Sequence, residues 1–262
     1  MSKVIITSTY NDHSKLSWVN KLNEKRVPFI IYKKRDGLVK EIVVNENVIE
    51  IPNIGRCDYA FLYHIVKNYD NLHDTNVFVK CNWRDNRIPF SKIFEGCDKY
   101  DFMTVGTHEE TVNWDINDKD DKLSETKQDW LREIFPENCT NLGNIQTWGH
   151  GPCFSVSRRL IHRHPVEVYE KLMNKFLPES GSFDTDYTKY PRYSNLGELI
   201  IDVGKRYHNE FLRFYPILFT HDLSENTDFK IFREKIYNIQ QNTKRADQRI
   251  VRKRRSFISM TF

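Results

Sequence analysis

Apolar and polar positions change their period several times along the first hundred residues. Val4–Thr9 is a short β-branched run and predicts a buried strand. Asn11, Asp12 and Ser14 supply turn and N-cap chemistry before Leu16, Trp18, Val19 and Leu22, which recur at helical intervals. Val27–Tyr32 predicts a second strand, ended by the turn-like Lys34-Arg35-Asp36-Gly37. Val48–Ile51 predicts a third, broken by Pro52-Asn53-Ile54-Gly55. From Asp58 to Tyr69, Ala60, Phe61, His64, Ile65 and Asn68 mark an amphipathic helix. Asn76–Lys80 and Phe102–Gly106 predict a fourth and a fifth strand. Such alternation of strands and helices predicts an α/β, Rossmann-like sheet with its ligand site at the carboxyl ends of the strands. The positions to watch are therefore Thr9-Tyr10-Asn11, Asp36, Asn53–Asp58 and Asn82–Asn86.

Beyond residue 106 the pattern loosens. Residues 107–147 are polar and read as irregular, with the acidic run DINDKDD at 115–121. That run lacks the glycine and terminal glutamate of a calcium loop, so a solvated loop is expected. Gly149–Ser157 predicts a turn and a strand, and Arg158–Phe176 a helix with Pro165 near its start or at a break. Residues 178–195 read as a loop and Leu196–Tyr207 as a helix. From Thr227, the residues Phe229, Phe232, Ile236 and Ile239 fall on one helical face. The expected organisation is one domain over 1–222, in two halves (1–106 and 107–222). A C-terminal helix and basic tail over 223–262 would follow.

Charge changes this picture only at the end. The 262 residues carry a formal net charge of +4. Residues 244–255 hold seven Lys/Arg and one Asp, so the remaining body carries a small negative excess. A nucleic-acid partner is therefore not expected of the body, and the case for one rests on the tail. Hydrophobic residues at 39% and aromatics at 13% argue for a folded core. The five cysteines Cys57, Cys81, Cys97, Cys139 and Cys153 show no C-x-x-C, which suits reduced thiols. The amino terminus has no signal-peptide core, and no apolar stretch reaches the roughly 18 residues of a membrane span. The expectation is a soluble, cytoplasmic protein.

Two features point to a nucleotide-sugar site. One is the opening strand followed by Thr9-Tyr10-Asn11. The other is Asn53-Ile54-Gly55-Arg56 between a strand and a helix, where glycine permits a tight turn and arginine can pair with a phosphate. Their joint order resembles the nucleotide-binding half of GT-A glycosyltransferases. Three stretches resemble a glycosyltransferase-like family of large DNA viruses and fungi, once known as a domain of unknown function. They are IPNIGRCDYAFLYHIVKNYDNLHDTNVFV, the Tyr10-Asn11-Asp12 segment running on to Trp18, and Gly151 to Ile161. The resemblance covers roughly residues 3–220 and is most specific between 51 and 80, where it singles out Asn53, Gly55, Arg56, Asp58 and Tyr59.

That resemblance implies a GT-A-like, Rossmann-type mixed and mainly parallel sheet flanked by helices, with a C-terminal helical extension. It implies transfer of a sugar from a nucleotide diphosphate donor, uridine-linked, to a glycan hydroxyl of a glycan or glycoprotein. For the viral branch the acceptor is a capsid or surface glycan and the location the host cytoplasm. Thr9, Tyr10, Asn11, Asp36 and Asn53 would contact the donor, Tyr10 and Asp36 at the nucleoside. Gly55, Arg56, Asp58, Arg84 and Asp85 would handle the diphosphate and donor sugar. Trp148 and His150 would meet the acceptor, and Glu198 would be the base of an inverting transfer, since such a reaction needs a carboxylate at the acceptor hydroxyl. Asp184, Asp186 and Asp202 compete with Glu198 for that role, and Asp58 is the second catalytic candidate.

The residues alone leave plainer readings open: Asp58 as a helix-dipole partner, Glu198 as a helix-start carboxylate, and Trp148 as a buried ring. The chain also departs from the pattern. GT-A enzymes place an Asp-x-Asp after the fourth strand to hold Mn2+ or Mg2+, whereas here that place reads Lys80-Cys81-Asn82-Trp83-Arg84-Asp85-Asn86. Asp85 is then the one acidic metal candidate, and Lys80, Arg84 or Arg87 could neutralise the diphosphate instead. The departure also keeps open a non-catalytic protein that binds a nucleotide sugar or a glycan. No G-x-S-x-G or P-loop is present, which argues against hydrolase and P-loop kinase chemistry.

Overall fold

In the computed structural model the sheet is built around β1 (Lys3–Tyr10). The residues described are 1–10, 18, 22, 24, 26–36, 42–81, 94, 96–104, 107–111, 145–149, 153–178, 186–189, 194–200, 215, 218–219 and 231–233; of 42–44, 107–111, 145–149, 187 and 231–233 only the backbone is described. Strands β2 (Phe29–Arg35), β3 (Ile42–Asn45), β4 (Val48–Pro52), β5 (Thr75–Lys80) and β6 (Phe102–Thr104) follow in order. Then come β7 (Thr107–Thr111), β8 (Ile145–Gly149), β9 (Phe154–Ser157) and β10 (Ile231–Arg233). Eight of them form one sheet in the order β10-β6-β9-β5-β1-β2-β4-β3, and β7 pairs with β8 apart from it.

The sheet is mixed and mainly parallel, the α/β architecture that the strand–helix alternation predicts. β2 and β5 run parallel to β1, β4 parallel to β2, and β10 parallel to β6. β9 runs against both β5 and β6, and β3 runs against β4. Helices cover it: α1 (Arg56–Lys67) packs on β1 and on α3 (Val166–Asn174), and the short α2 (Arg158–Ile161) leads from β9 toward α3.

Period-two alternation sorts β1 between two cores. Val4 and Ile6 join Tyr32, Phe61, Ile65, Phe78 and Phe154 on the α1 side. Ile5 joins Trp18, Leu22, Ile31, Val77 and Val79 on the other. Burial on both faces explains why the strand reads as a nearly unbroken apolar run. Much of the aromatic content goes into the α1-side core. Phe154 lies 4.9 Å from Phe78, 4.6 Å from Tyr215 and 5.8 Å from Phe219, ring centre to ring centre.

Several expectations are corrected. β2 runs on through Lys34 and Arg35, which pair with Ile51 and Pro52, so the turn begins only at Asp36. The hairpin partner β3 was not expected; its turn is closed by Asn47 N–H donating to Asn45 Oδ1 at 2.9 Å. The region read as irregular contains β7, and Trp148, expected just ahead of a turn, lies in its partner β8 opposite His108. Of the two places the sequence allowed Pro165, the break is the one found: it separates α2 from α3, since it cannot donate within a continuous helix. Phe232, assigned by spacing to a C-terminal helix, lies in β10 opposite Met103. Sheet pairing overrides helical periodicity over those three residues. The remaining tail, 234–262, lies outside the described residues.

Candidate functional site

Chain order reverses at β1. From β1 the chain builds outward through β2 to β4, then crosses through α1 to β5 on the opposite side of β1. A crevice at the carboxyl ends of the strands is expected at such a switch point. Tyr10, Arg35, Pro52 and Lys80 end their strands there. The reversed β9 brings its first residues to the same edge, with Cys153 next to Lys80.

Three of the donor-binding candidates are joined at this edge. The Tyr10 hydroxyl donates to Asp36 Oδ2 at 2.5 Å, and the Asn53 amide donates to Asp36 Oδ1 at 2.8 Å. Asn53 N–H also bonds the Arg35 carbonyl at 3.1 Å. The hydrogen bond from Tyr10, followed by that from Asn53, holds the Asp36 carboxyl below the usual carboxylate range. The same bond, read from the other side, raises the Tyr10 phenol. Tyr10 is 40% exposed, an aromatic face presented beside a carboxylate, which suits a heterocycle or ribose. Asp36→Asn leaves one acceptor oxygen for two donors, so it is expected to release Tyr10 or Asn53 and to bring the Tyr10 phenol back toward its usual range, which spectrophotometric titration of the tyrosines checks.

Next to this triad the chain makes a constrained turn into α1. Gly55 has φ 52° and Arg56 φ 50°, two left-handed residues in succession. Gly55 is buried against Phe176, and no side chain caps the first N–H groups of α1. Arg56 is exposed, whereas Asp58, in the first turn, is fully buried. Tyr215 lies near Asp58; burial first, and then the carboxylate's charge, push its phenol well above its usual range. The Cys57 thiol also approaches Asp58 Oδ2, at 4.0 Å.

Lys34 was missed by reading the sequence as a turn. It is 3% exposed, and its Nζ donates to the Ile54 carbonyl at 2.5 Å. Burial lowers it to about 8, partly offset by Cys57, Asp58 and Cys81. The signal lay in alternation: two residues after the buried Tyr32, a continued strand points Lys34 to the α1 side. Cys57, Cys81, Cys97 and Cys153 make no disulfide. Burial raises Cys57 well above normal and Cys153 to about 11, so neither is a poised nucleophile.

Other candidates are placed elsewhere. Thr9 is buried, and alternation puts it on the face of β1 opposite Tyr10. Glu198 is exposed and sits at a helix start: its carboxylate accepts Ser194 N–H at 2.8 Å while its own N–H donates to Asn195 Oδ1 at 3.0 Å. This reciprocal pairing is a capping arrangement. Asn11, Arg84, Asp85, His150, Asp184 and Asp202 lie outside the described residues, as does the side chain of Trp148. Among the described residues no three His, Cys, Asp or Glu side chains converge as a metal site.

The groove of about 610 Å3 lies at the opposite edge, among Asp74, Asp98, Asp101, Ser157, Arg158 and Arg159. Its charges answer one another, with Arg158 on Asp74 at 2.7 Å and Arg159 on Asp101 at 2.9 Å. It sits at the amino ends of β1 and β5, away from the switch point. No helix among the described residues is long and apolar enough to cross a membrane. Compared with known proteins, the chain matches no protein-family model and no curated protein.

Proposed function

We propose that the protein is a GT-A-like glycosyltransferase that moves a sugar from a uridine diphosphate donor to a glycan hydroxyl. The observation that carries this reading is the junction of Tyr10, Asp36 and Asn53 beside the Gly55-Arg56 turn, at the switch point of a mainly parallel sheet. The triad offers an aromatic face and a carboxylate to a nucleoside. The turn offers a guanidinium and uncapped N–H groups to phosphate oxygens. Asp85, and with it Mn2+ or Mg2+, remains part of the proposal. A capsid or surface glycan is the proposed acceptor.

Glu198 is the proposed base and Asp58 the competing carboxylate. Glu198 Oε2 accepts Ser194 N–H, which ties the carboxylate to its own helix start. That bond is the observation favouring the second reading, a nucleotide-sugar- or glycan-binding protein without turnover. Uridine diphosphate is expected to raise the melting temperature, and a uridine-linked sugar to be slowly hydrolysed. Loss of an essential general base typically costs about 10²–10⁴-fold in rate, so Glu198→Gln and Asp58→Asn are each compared with the unaltered protein. Binding without any turnover supports the second reading. Turnover unchanged in both variants refutes the assignment of the carboxylates.

A further inference from the structure

We propose that Lys34 is a positioning residue for a phosphoryl-anion subsite: its buried ammonium holds the Ile54 carbonyl inward, and so turns the Gly55 N–H, the uncapped start of α1 and the Arg56 guanidinium outward toward diphosphate oxygens. The inference rests on the transferase reading for the identity of the site, and deepens it by naming what fixes the anion's place.

The geometry runs from one hydrogen bond. Lys34 Nζ donates to the Ile54 carbonyl at 2.5 Å from the end of β2. Across a trans peptide the C=O and the next N–H point in opposite directions, and none of the described peptides is cis. A carbonyl drawn to Lys34 therefore points the Gly55 N–H away from that ammonium. Ile54 N–H is occupied by the Pro52 carbonyl at 2.9 Å, which fixes the peptide plane before it. The two left-handed residues that follow lead into a twelve-residue helix with no side-chain cap. A lysine buried to 3% exposure is costly to keep unless its charge is used. Here it is the buried cation beneath a turn whose outer face carries Arg56.

The groups facing Lys34 are Cys57, Asp58 and Arg56 from α1, Cys81 after β5, and Tyr10, its register partner on β1. Burial lowers Lys34 to about 8, while Asp58 and the two thiols hold it up. The ammonium is thus partly lost between neutral and mildly alkaline pH. A bound anion favours the charged form, so anion affinity is linked to this proton.

The test uses the full chain, with uridine diphosphate and inorganic pyrophosphate as probes, titrated by calorimetry from about pH 7 to about pH 9. The unaltered protein is expected to lose affinity for both probes above about pH 8. Lys34→Met is expected to bind about tenfold more weakly at neutral pH, with no step at higher pH. Lys34→Arg, which keeps its charge throughout, restores affinity and lacks the step. Equal affinity and coincident pH profiles in the unaltered protein and Lys34→Met would overturn the proposal, as would an unaltered protein that binds neither probe. Melting temperatures report whether the variants fold; if neither does, the profile of the unaltered protein decides, and the absence of a step refutes it. Pyrophosphate binding with the Lys34 step but without sugar turnover sinks the transferase reading and leaves this one standing. Turnover with a Lys34-independent profile does the reverse.

Discussion

Gly55→Ala is expected to lower stability by about 2–5 kcal/mol and, on the proposed function, to weaken binding at the candidate site with it. Two costs add. A Cβ in the left-handed region costs about 1–2 kcal/mol, and Gly55 has φ 52°. That Cβ would also stand 2.5 Å from Phe176 Cδ1 and 2.7 Å from its Cγ. Phe176 cannot yield easily, because it is 1% exposed and packs edge-on against Tyr59 at 6.3 Å. Overpacking of this kind costs about 1–3 kcal/mol. The backbone must give, and the part that gives is the start of α1, which carries Arg56 and Asp58. Gly96→Ala is the control. Nothing lies within 4 Å of its Cβ, and its φ of −100° is open to any residue. Urea unfolding of both variants, with uridine diphosphate titrations, tests the pair. A loss at Gly55 no larger than at Gly96 would show that the turn tolerates a side chain.

The second large effect is acid destabilisation through His64. This residue is 1% exposed, in α1 between Tyr32 and Asn76. Its Nδ1 meets the Tyr32 hydroxyl at 3.0 Å, and the Asn68 amide bonds both that nitrogen, at 3.3 Å, and the His64 carbonyl, at 2.8 Å. Burial lowers it to about 3, with Asn76 acting weakly in the other direction. The folded protein therefore keeps His64 neutral, while the unfolded chain protonates it near 6.5. Below that pH the unfolded state binds more protons, so stability falls as pH falls. The contribution is intact above about 6.5 and is lost down to about 3, at up to about 1.4 kcal/mol per pH unit. His64→Gln keeps a neutral polar group and removes the proton. Its urea-unfolding stability should be lower near neutrality and should vary less with pH than that of the unaltered protein. Parallel pH profiles would assign the acid sensitivity to other groups.

Both effects come from residues that the sequence marked for different reasons. Gly55 was legible, because a glycine between a strand and a helix asks for a special backbone. Its partner Phe176 was not, since no local pattern ties residue 55 to residue 176. His64 was legible as a helical-face residue, but its neutral state depends on Tyr32 and Asn76 from two different strands. Tyr10, Asp36 and Asn53 were each suggested by their place after a strand. That they join through one carboxylate follows from the parallel register of β1, β2 and β4.

What the sequence determined by itself is local: β-branched runs that must bury both faces, an amphipathic α1, and a glycine turn ahead of it. Those are short-range consequences of side-chain shape and period, and they were enough for a mainly parallel α/β sheet. Tertiary structure alone decided where strands stop and which charges go inside. Lys34 looked like turn chemistry until Ile51 paired with it and the Ile54 carbonyl received its ammonium. Phe232 looked helical until β6 offered it a ladder. Glu198 read as a helix-start carboxylate and as a candidate base, but its bonds to Ser194 N–H and Asn195 Oδ1 appear only in the fold. In each case the deciding contact lies off the pattern that was read, in an adjoining strand or in the backbone of a turn.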